Sequence, residues 1–364
     1  MSTTVQPNAE PQFSNVKIYI LRVGSQPNGQ ATDITDCGST NPMVGTDSNG
    51  ECYVASDVNG NFDLTDAYYA NCNADSDIIY FEIVGGEAGV YYNQNLALVA
   101  VPSSTQTCGW YYNNASTAFI VISDFTNVAA AFSAGTFASY TKSAAHLFDS
   151  ISAYPADYTA LGTAFDTANN LIPIASGFYG GSDSNVQREL NTLADVVAPC
   201  LNSTGATTAG TRCGDLFTQT TQGQFSTAHP PSTPFMALAS MAQFPTNNVT
   251  NQFYEISATP PWQPNDSTAP SSWLIPVNGS LQPTISTSTA ASATHNTTGF
   301  TITGTNFGST SSLITVVGAG QKLPVTGVSG TTSITVSIPN HVTKGALGVY
   351  VNGVASAFTQ FSIN

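Results

Sequence analysis

The feature that most constrains the fold is a series of short runs rich in β-branched and aromatic residues, separated by Gly, Asn, Asp and Pro. Such runs favour extended backbone, and the residues between them favour turns. A regular succession of short strands and turns is typical of a β-sandwich. In the first third of the chain the runs cover residues 16–24, 52–56, 62–66, 78–84, 95–101 and 117–125.

Two near-copies of one turn sequence lie between these runs, DSNG at 47–50 and DVNG at 57–60. Asn-Gly readily supplies the positive φ angles of tight hairpin turns. The repeat therefore predicts two consecutive hairpins.

The second copy also presents oxygen-bearing side chains at alternate positions, Asp57, Asn59, Asn61 and Asp63, as calcium loops do. An EF-hand loop needs Gly at its sixth position and Glu at its twelfth, and this segment has neither there. We favour a β-turn and keep calcium as the alternative cofactor; no other cofactor is expected.

The charge distribution excludes one class of partner and suggests another. Only 8% of residues are charged, and the formal net charge is −15. Seven scattered cations cannot form the basic patch that nucleic acid or an anionic membrane requires. Residues 1–125 contain thirteen acids against two cations, whereas residues 267–364 contain two cations and no acid. This asymmetry favours head-to-tail self-association, which produces filaments when the contact does not close.

Six cysteines indicate disulfide bonds and therefore an oxidising compartment. They form no CxxC pair, and no His stands at zinc-ligand spacing. No stretch approaches eighteen apolar residues, so no transmembrane segment is expected. Residues 1–15 lack the basic start and apolar core of a signal peptide, so we expect an exported chain that has lost its signal. The expected location is extracellular or at the cell surface.

The pattern changes twice along the chain. From about residue 126 to 257, apolar positions recur at helical spacing, as at Leu190, Leu193, Val197 and Leu201. Residues 258–283 hold six prolines without periodicity, which is typical of a linker. Short β-type runs then return at 299–308, 313–318, 334–340, 347–353 and 361–364.

Three segments resemble known modules. SDVNGNFDLTDAY (56–68), IIYFEIVGG (78–86) and FIVISDFTNVAAAF (119–132) resemble the transthyretin-like (carboxypeptidase regulatory-like) modules of bacterial surface proteins. LNTLADVVAPCLN (190–202) and CGDLF (213–217) resemble the helical region that follows in those proteins. GFTITGTNFG (299–308) and the runs after it resemble an IPT/TIG domain.

The resemblances imply a multidomain β plus α protein. Its expected parts are an N-terminal transthyretin-like β-sandwich with a disulfide-closed insert, a mostly helical middle domain, a Pro-rich linker, and a C-terminal immunoglobulin-like (IPT/TIG) β-sandwich. The corresponding boundaries are 1–128, 129–257, 258–281 and 282–364.

Six cysteines allow fifteen connectivities. The arrangement we favour places one bond in the first sandwich, one in its insert and one across a helical turn, and it pairs Cys72 with Cys108, Cys37 with Cys52, and Cys200 with Cys213.

Aromatic residues of the first module are the candidate binding residues, since flat aromatic faces beside amides suit sugar stacking or a protein interface. The candidates are Tyr91, Tyr92, Trp110, Tyr111 and Tyr112. If these lie on strands, one member of each adjacent pair must point into the core.

The sequence favours a non-catalytic, extracellular structural or adhesion protein, with other copies of itself or other surface proteins as partners. Two alternatives stay open: a carbohydrate-binding surface protein that uses the aromatics, and a hydrolase. The hydrolase has the weaker support, because no HExxH or GxSxG motif occurs among four histidines and many serines.

Overall fold

The structure is a computed structural model of the 364-residue chain. It combines several antiparallel sheets with helices and therefore belongs to the mixed β plus α class. The described residues are 13–26, 29–67, 72, 74–88, 91–114, 118–139, 149–179, 184–222, 225, 229–257, 268–273, 275, 283–286, 298–309, 311, 314–318, 321–339, 345–351, 354–356 and 359–361.

The first hundred residues form a six-stranded antiparallel sheet and a smaller three-stranded one. The six-stranded sheet runs in the order β4-β5-β2-β6-β9, with β3 also paired to β2, and the small sheet runs β1-β7-β8. The strands are β1 (Phe13–Ser14), β2 (Lys17–Arg22), β3 (Thr32–Asp33), β4 (Val44–Thr46), β5 (Cys52–Ala55), β6 (Ile79–Val84), β7 (Glu87–Ala88), β8 (Tyr91–Tyr92) and β9 (Ala97–Ala100).

The central strand β6 is buried along its whole length because both of its faces are covered. Phe81 packs edge-to-face on Tyr111, with the ring centroids 5.1 Å apart. Adjacent residues of a strand point to opposite faces. On the other face, the hydroxyl of Tyr80 donates to the carbonyl oxygen of Asp149, and the carboxylate of Glu82 accepts from the Asp149 N–H.

The turn repeat forms one hairpin and one turn without a second strand. Residues 47–50 connect β4 to β5, with Gly50 at φ 88°. Residues 57–60 also turn, with Gly60 at φ 73°, but the expected strand at 62–66 is absent. Phe62 and Leu64, which alternate with polar residues, are nevertheless buried. The carbonyl oxygens of residues 63 and 65 accept instead from the Asn41 side-chain amide, so no neighbouring strand is needed.

The expected strand at 117–125 is wrong, because a helix begins within it. Residues 118–122 join no sheet, and α2 (Asp124–Ala134) follows. Ser123 caps this helix: its side chain accepts from the Thr126 N–H, and the Thr126 hydroxyl accepts from the Ser123 N–H. This reciprocal capping box fixes the start of the helix two residues before the expected change at 126. A further helix that we did not expect, α1 (Cys108–Asn114), lies before it.

The middle of the chain is helical, as expected. Leu190, Leu193, Val197 and Leu201 all lie on one helix, α4 (Ser184–Leu201), and have no exposed surface. Every residue of this helix from Glu189 to Leu201 is buried. The Trp273 ring packs into the same interior, where its indole N–H donates to the side-chain oxygen of Gln252 at 2.6 Å. The helices are α3 (Tyr158–Leu171), α4 (Ser184–Leu201), α5 (Arg212–Gln219), α6 (Pro234–Gln243) and α7 (Val249–Ser257). Before α3 lies an antiparallel pair of two-residue strands, β10 (Ala138–Ser139) and β11 (Ser150–Ile151).

One hydrophobic core serves both the sheets and the helices. Buried apolar residues from Val16 to Ile275 contact one another in a single cluster. The expected boundary between residues 128 and 129 falls inside α2, whose Asn127 side chain accepts from the Val99 N–H of β9. Strands and helices of residues 13–275 therefore pack as one unit. Most of the expected linker at 258–281 lies outside the described residues.

The last segment has a second, separate core between two antiparallel sheets. One sheet runs β12-β13-β17-β16; the other runs β15-β14-β18-β19, with β20 also paired to β18. Ile302 and Ile334 of the first sheet and Val316 and Val349 of the second are fully buried in this core. The strands are β12 (Thr284–Ile285), β13 (Thr298–Thr305), β14 (Ile314–Gly318), β15 (Gln321–Leu323), β16 (Val325–Ser329), β17 (Ser333–Ser337), β18 (Gly345–Val351), β19 (Val354–Ala355) and β20 (Thr359–Phe361).

Candidate functional site

An open polar cleft of about 580 Å³ lies where β8 meets the loop between α4 and α5. Strand β8 contributes one aromatic side chain, and the loop and the first turn of α5 contribute the polar ones. The lining residues are Tyr91, Asn202, Ser203, Thr204, Ala206, Gly210, Thr211, Arg212 and Asp215.

The loop is fixed at both ends by a disulfide bond. Cys200, in the last turn of α4, is joined to Cys213, in the first turn of α5. Both cysteines are buried. The bond prevents the two helix ends from separating and so holds the polar wall of the cleft in place.

Asn93, directly after β8, attaches the same loop to the strand side of the cleft. It is fully buried, and its side-chain amide donates to the carbonyl oxygens of Cys200 at 2.8 Å and Leu201 at 3.2 Å. These carbonyls belong to the last turn of α4, where the regular helical N–H partners run out. The Cys200 carbonyl also accepts from the N–H and the hydroxyl of Ser203. Asn93 therefore caps the helix and positions Tyr91 relative to the loop.

A second amide contact requires glycine in the loop. The Asn95 side-chain amide donates to the carbonyl oxygen of Gly205 at 2.5 Å. Gly205 has φ 73°, and a Cβ there would lie 2.1 Å from the side-chain oxygen of Asn93. Only glycine permits this approach and this backbone conformation.

The cleft hydroxyls are mostly occupied in holding the loop. The Ser203 hydroxyl donates to the Cys200 carbonyl and accepts from the Gly205 N–H. The Thr211 hydroxyl donates to the Ala206 carbonyl and accepts from the Gly214 N–H, which caps α5. Ser203 therefore holds the loop, and among the described residues that line the cleft none is a histidine that would activate it as a nucleophile.

Other polar groups of the cleft keep hydrogen-bonding capacity. One Asp215 oxygen accepts from the Gly210 N–H, and a carboxylate has a second oxygen that also accepts. The side-chain oxygen of Asn202 has no hydrogen-bond partner within the described part of the chain, but it has no accessible surface and is not offered to a ligand. Arg212 adds a cation to the lining of the cleft. The cleft thus combines an aromatic face with both donors and acceptors.

The structure separates the five aromatic candidates. Tyr91 and Tyr92 are 51% and 55% exposed, although one of them was expected to point inward. Both remain exposed because β8 is a two-residue edge strand of the small sheet. Only Tyr91 lines the cleft.

The other three candidates lie on α1 rather than on a strand. The Tyr111 side chain is buried, and its ring packs against Phe81. Trp110 is partly buried and packs edge-to-face on Tyr111 at 4.9 Å. Tyr112 is 45% exposed and does not line the cleft.

The calcium candidates are engaged in their own turn. One oxygen of Asp57 accepts from the N–H groups of Asn59 and Asn61, and the other accepts from the Asn61 side-chain amide. These hydrogen bonds, above all that from the Asn61 N–H, lower the pKa of Asp57. The Asp63 carboxylate accepts from the Thr65 N–H, and hydrogen bonds from Thr65 lower its pKa. Among the described residues, no group of three or more His, Cys, Asp or Glu side chains is arranged to hold a metal.

The structure contains the three disulfide bonds that we favoured, Cys37–Cys52, Cys72–Cys108 and Cys200–Cys213. Beside the first of them lies an unusual carboxyl group, Asp33. It accepts from the N–H groups of Thr35 and Cys52. Burial raises its pKa to about 7, against the effect of these hydrogen bonds.

Sequence reasoning identified Tyr91 but missed the residues that complete the cleft. Asn93, Asn202, Arg212 and Asp215 belong to no motif. The one available signal was the pairing of Cys200 with Cys213, which marks a fixed loop but does not say which surface it meets.

Comparison of the chain with models of protein families, with curated proteins and with solved structures finds no match. Within the described residues, none of the helices has both the length and the apolar character required to cross a membrane.

Proposed function

We propose that this protein is a non-catalytic extracellular protein with a structural or adhesive role at a cell surface. The observation that carries the proposal is the rigid, open cleft beside exposed tyrosines, fixed by a disulfide bond and buried amide contacts. Such a surface is organised before a partner arrives, so little conformational entropy is lost on binding. The Ser203 hydroxyl, held by the loop backbone, supports binding rather than hydrolysis.

Three disulfide bonds support an oxidising location. Within this proposal, the unit at 283–361 is an immunoglobulin-like IPT/TIG module. Its two antiparallel sheets around one core and its turns at Gly308 and Gly330, both with positive φ, support that identity. We also propose that the sheets of residues 13–100 derive from a transthyretin-like module, supported by the short strands β2, β5, β6 and β9 at expected positions.

The adhesive role is tested with fluorescently labelled protein applied to intact bacterial cells and to isolated cell envelopes. We expect saturable binding that unlabelled protein displaces. An active-site-directed serine probe should leave the protein unlabelled. Absence of surface binding, or stoichiometric labelling by the probe, would contradict the proposal.

Head-to-tail self-association is the assembly route that we propose for the same function. It is carried by the charge difference between residues 1–125, with eleven more acids than cations, and the acid-free residues 267–364. Light scattering and electron microscopy at low salt and high protein concentration should show linear assemblies that dissociate at high salt. A sharp monomer under those conditions would rule out this route and leave the adhesive role standing.

A further inference from the structure

We propose that the cleft between Tyr91 and the Cys200–Cys213 loop is a binding site for a neutral saccharide. The inference rests on the adhesive function proposed above and names the class of its ligand. The sequence indicated the aromatic residues as a group. The proposed site instead combines Tyr91 with a polar loop more than a hundred residues away in the sequence.

Tyr91 supplies the apolar part of the recognition. Its side chain is half exposed at the edge of the cleft, and no described strand pairs with the outer edge of β8. One face of a pyranose ring is a patch of C–H groups, which stacks favourably on an aromatic ring. The ring loses few rotamers when a ligand covers it, because a tyrosine has only two side-chain torsions.

The loop supplies the polar part. Sugar hydroxyls both donate and accept hydrogen bonds, so a saccharide site needs acceptors and donors close together. The second oxygen of Asp215 and the hydroxyl oxygen of Thr204 provide acceptors. Arg212 and Thr204 provide donors. The volume of about 580 Å³ is in the range of small-molecule sites and suits a short oligosaccharide.

Electrostatics favour a neutral saccharide over an acidic one. The chain has a net charge of −15, which repels polyanions at low salt. Arg212 lies in the same cleft as Asp215, so the cation is not available as an isolated anion site. The uncharged hydroxyls of a neutral saccharide can hydrogen-bond to both Arg212 and Asp215, whereas a ligand carboxylate would be repelled by Asp215.

The site is rigid because its anchors are separate from its contact groups. Asn93, Asn95, Ser203 and Thr211 hold the loop through backbone carbonyls and N–H groups. Tyr91 and Asp215 can therefore be changed without removing the contacts that dock the loop, provided that the Asp215 replacement keeps an acceptor for the Gly210 N–H.

The test uses the full chain with its disulfides intact. An array of neutral tetrasaccharides (β-1,4-linked glucose, β-1,4-linked N-acetylglucosamine and α-1,4-linked glucose) is compared with uronate tetrasaccharides, followed by calorimetry with the best ligand. We expect binding to at least one neutral tetrasaccharide. Tyr91→Ala should raise its Kd at least about tenfold, and Tyr91→Phe, which keeps the ring, should change Kd less than about threefold. Asp215→Asn should raise Kd by about three- to tenfold.

The matched control is Tyr92→Ala, since Tyr92 is the neighbouring residue with the same exposure but does not line the cleft. Its Kd should stay within about twofold of the wild type. If Tyr91→Ala fails to fold, saturation-transfer NMR on the wild type should show the ring C–H protons of the sugar receiving saturation. No binding to neutral saccharides, binding only to uronates, or equal losses in Tyr91→Ala and Tyr92→Ala would each overturn the inference. Cell-surface binding that persists without saccharide binding would refute this inference alone.

Discussion

The buried side-chain amide of Asn93 is one of two amides that connect the two halves of the candidate site. Asn93 has no exposed surface, and its side chain donates to two backbone carbonyls of α4. We expect Asn93→Ala to lower the free energy of unfolding by about 1–3 kcal/mol, because the Leu201 carbonyl loses that donor. The Cys200 carbonyl keeps its hydrogen bonds from Ser203. Urea unfolding measures this. Asn113→Ala is the control, since the exposed Asn113 bonds only within its own helix, and its effect should stay below about 0.5 kcal/mol. Equal losses in the two variants would contradict the role of Asn93.

The Asp33 carboxyl group should make stability depend on pH in the direction opposite to most acids. Its pKa is raised in the folded chain from 3.8 to about 7, mainly by burial. Between these values the folded state binds the proton more tightly than the unfolded state does. The contribution of Asp33 is therefore most favourable below about pH 4 and is lost as pH rises towards 7, by at most about 1.4 kcal/mol per pH unit.

The measurement is urea unfolding of the wild type and Asp33→Asn at several values between pH 4 and 8. Asparagine carries no charge and keeps one side-chain acceptor. The variant should gain stability relative to the wild type as pH rises from 4 to 7, with little further change above that. Parallel pH profiles would show that Asp33 does not titrate in this range.

At the scale of elements, the start of α2 depends on one serine. The side chain of Ser123 accepts from the Thr126 N–H in a reciprocal capping box. Ser123→Ala should cost about 1–2 kcal/mol of stability, because the cap is partly buried and the whole helix is covered. Ser184→Ala, at the exposed first residue of α4, should cost less than about 0.5 kcal/mol. Thermal or urea unfolding compares the two, and a similar loss in both would argue against the capping role.

The elements that the sequence predicted well are those whose own residues determine them. β2, β5, β6 and β9 come from β-branched and aromatic runs, and α4 from strict helical spacing. The errors have one physical origin. Apolar residues that alternate with polar ones indicate which side chains are buried, but they do not indicate whether the backbone hydrogen-bonds to a neighbouring strand. Phe62 and Leu64 alternate with polar residues and are buried, yet a side-chain amide from Asn41 satisfies the backbone there. Likewise, Ile120, Val121 and Ile122 before Ser123 are buried without joining a sheet.

At the scale of the whole molecule, the sequence indicated where strands give way to helices but not that they share a core. The helical spacing of apolar residues predicts that α4 packs into a core, but it does not predict which other elements form that core. For the same reason the sequence does not predict the cleft. Tyr91 and Arg212 are brought together by the docking of the loop on Asn93 and Asn95. The change at residue 282 was easier to predict, since the segment after it contains a complete set of strands for its own core.

Because the protein has two separate hydrophobic cores, we expect two unfolding transitions. All three disulfide bonds lie between Cys37 and Cys213, within the unit whose core extends from Val16 to Ile275. Each bond closes a loop that would contribute about 3–4 kcal/mol on the chain-entropy model. A reductant should therefore lower the Tm of the larger transition in a calorimetric scan and leave the smaller one unchanged.

A substitution in the second core tests whether the smaller transition is the unfolding of that core. Ile334 is fully buried in the second core, so Ile334→Ala should remove about 2–4 kcal/mol from that unit and lower only the smaller transition. A control substitution on the same strand, Ser333→Ala, should leave both transitions in place, since Ser333 is partly exposed. A single transition that responds to both the reductant and Ile334→Ala would mean that the two cores unfold as one, because energetic coupling between them would then exceed the stability of the smaller unit.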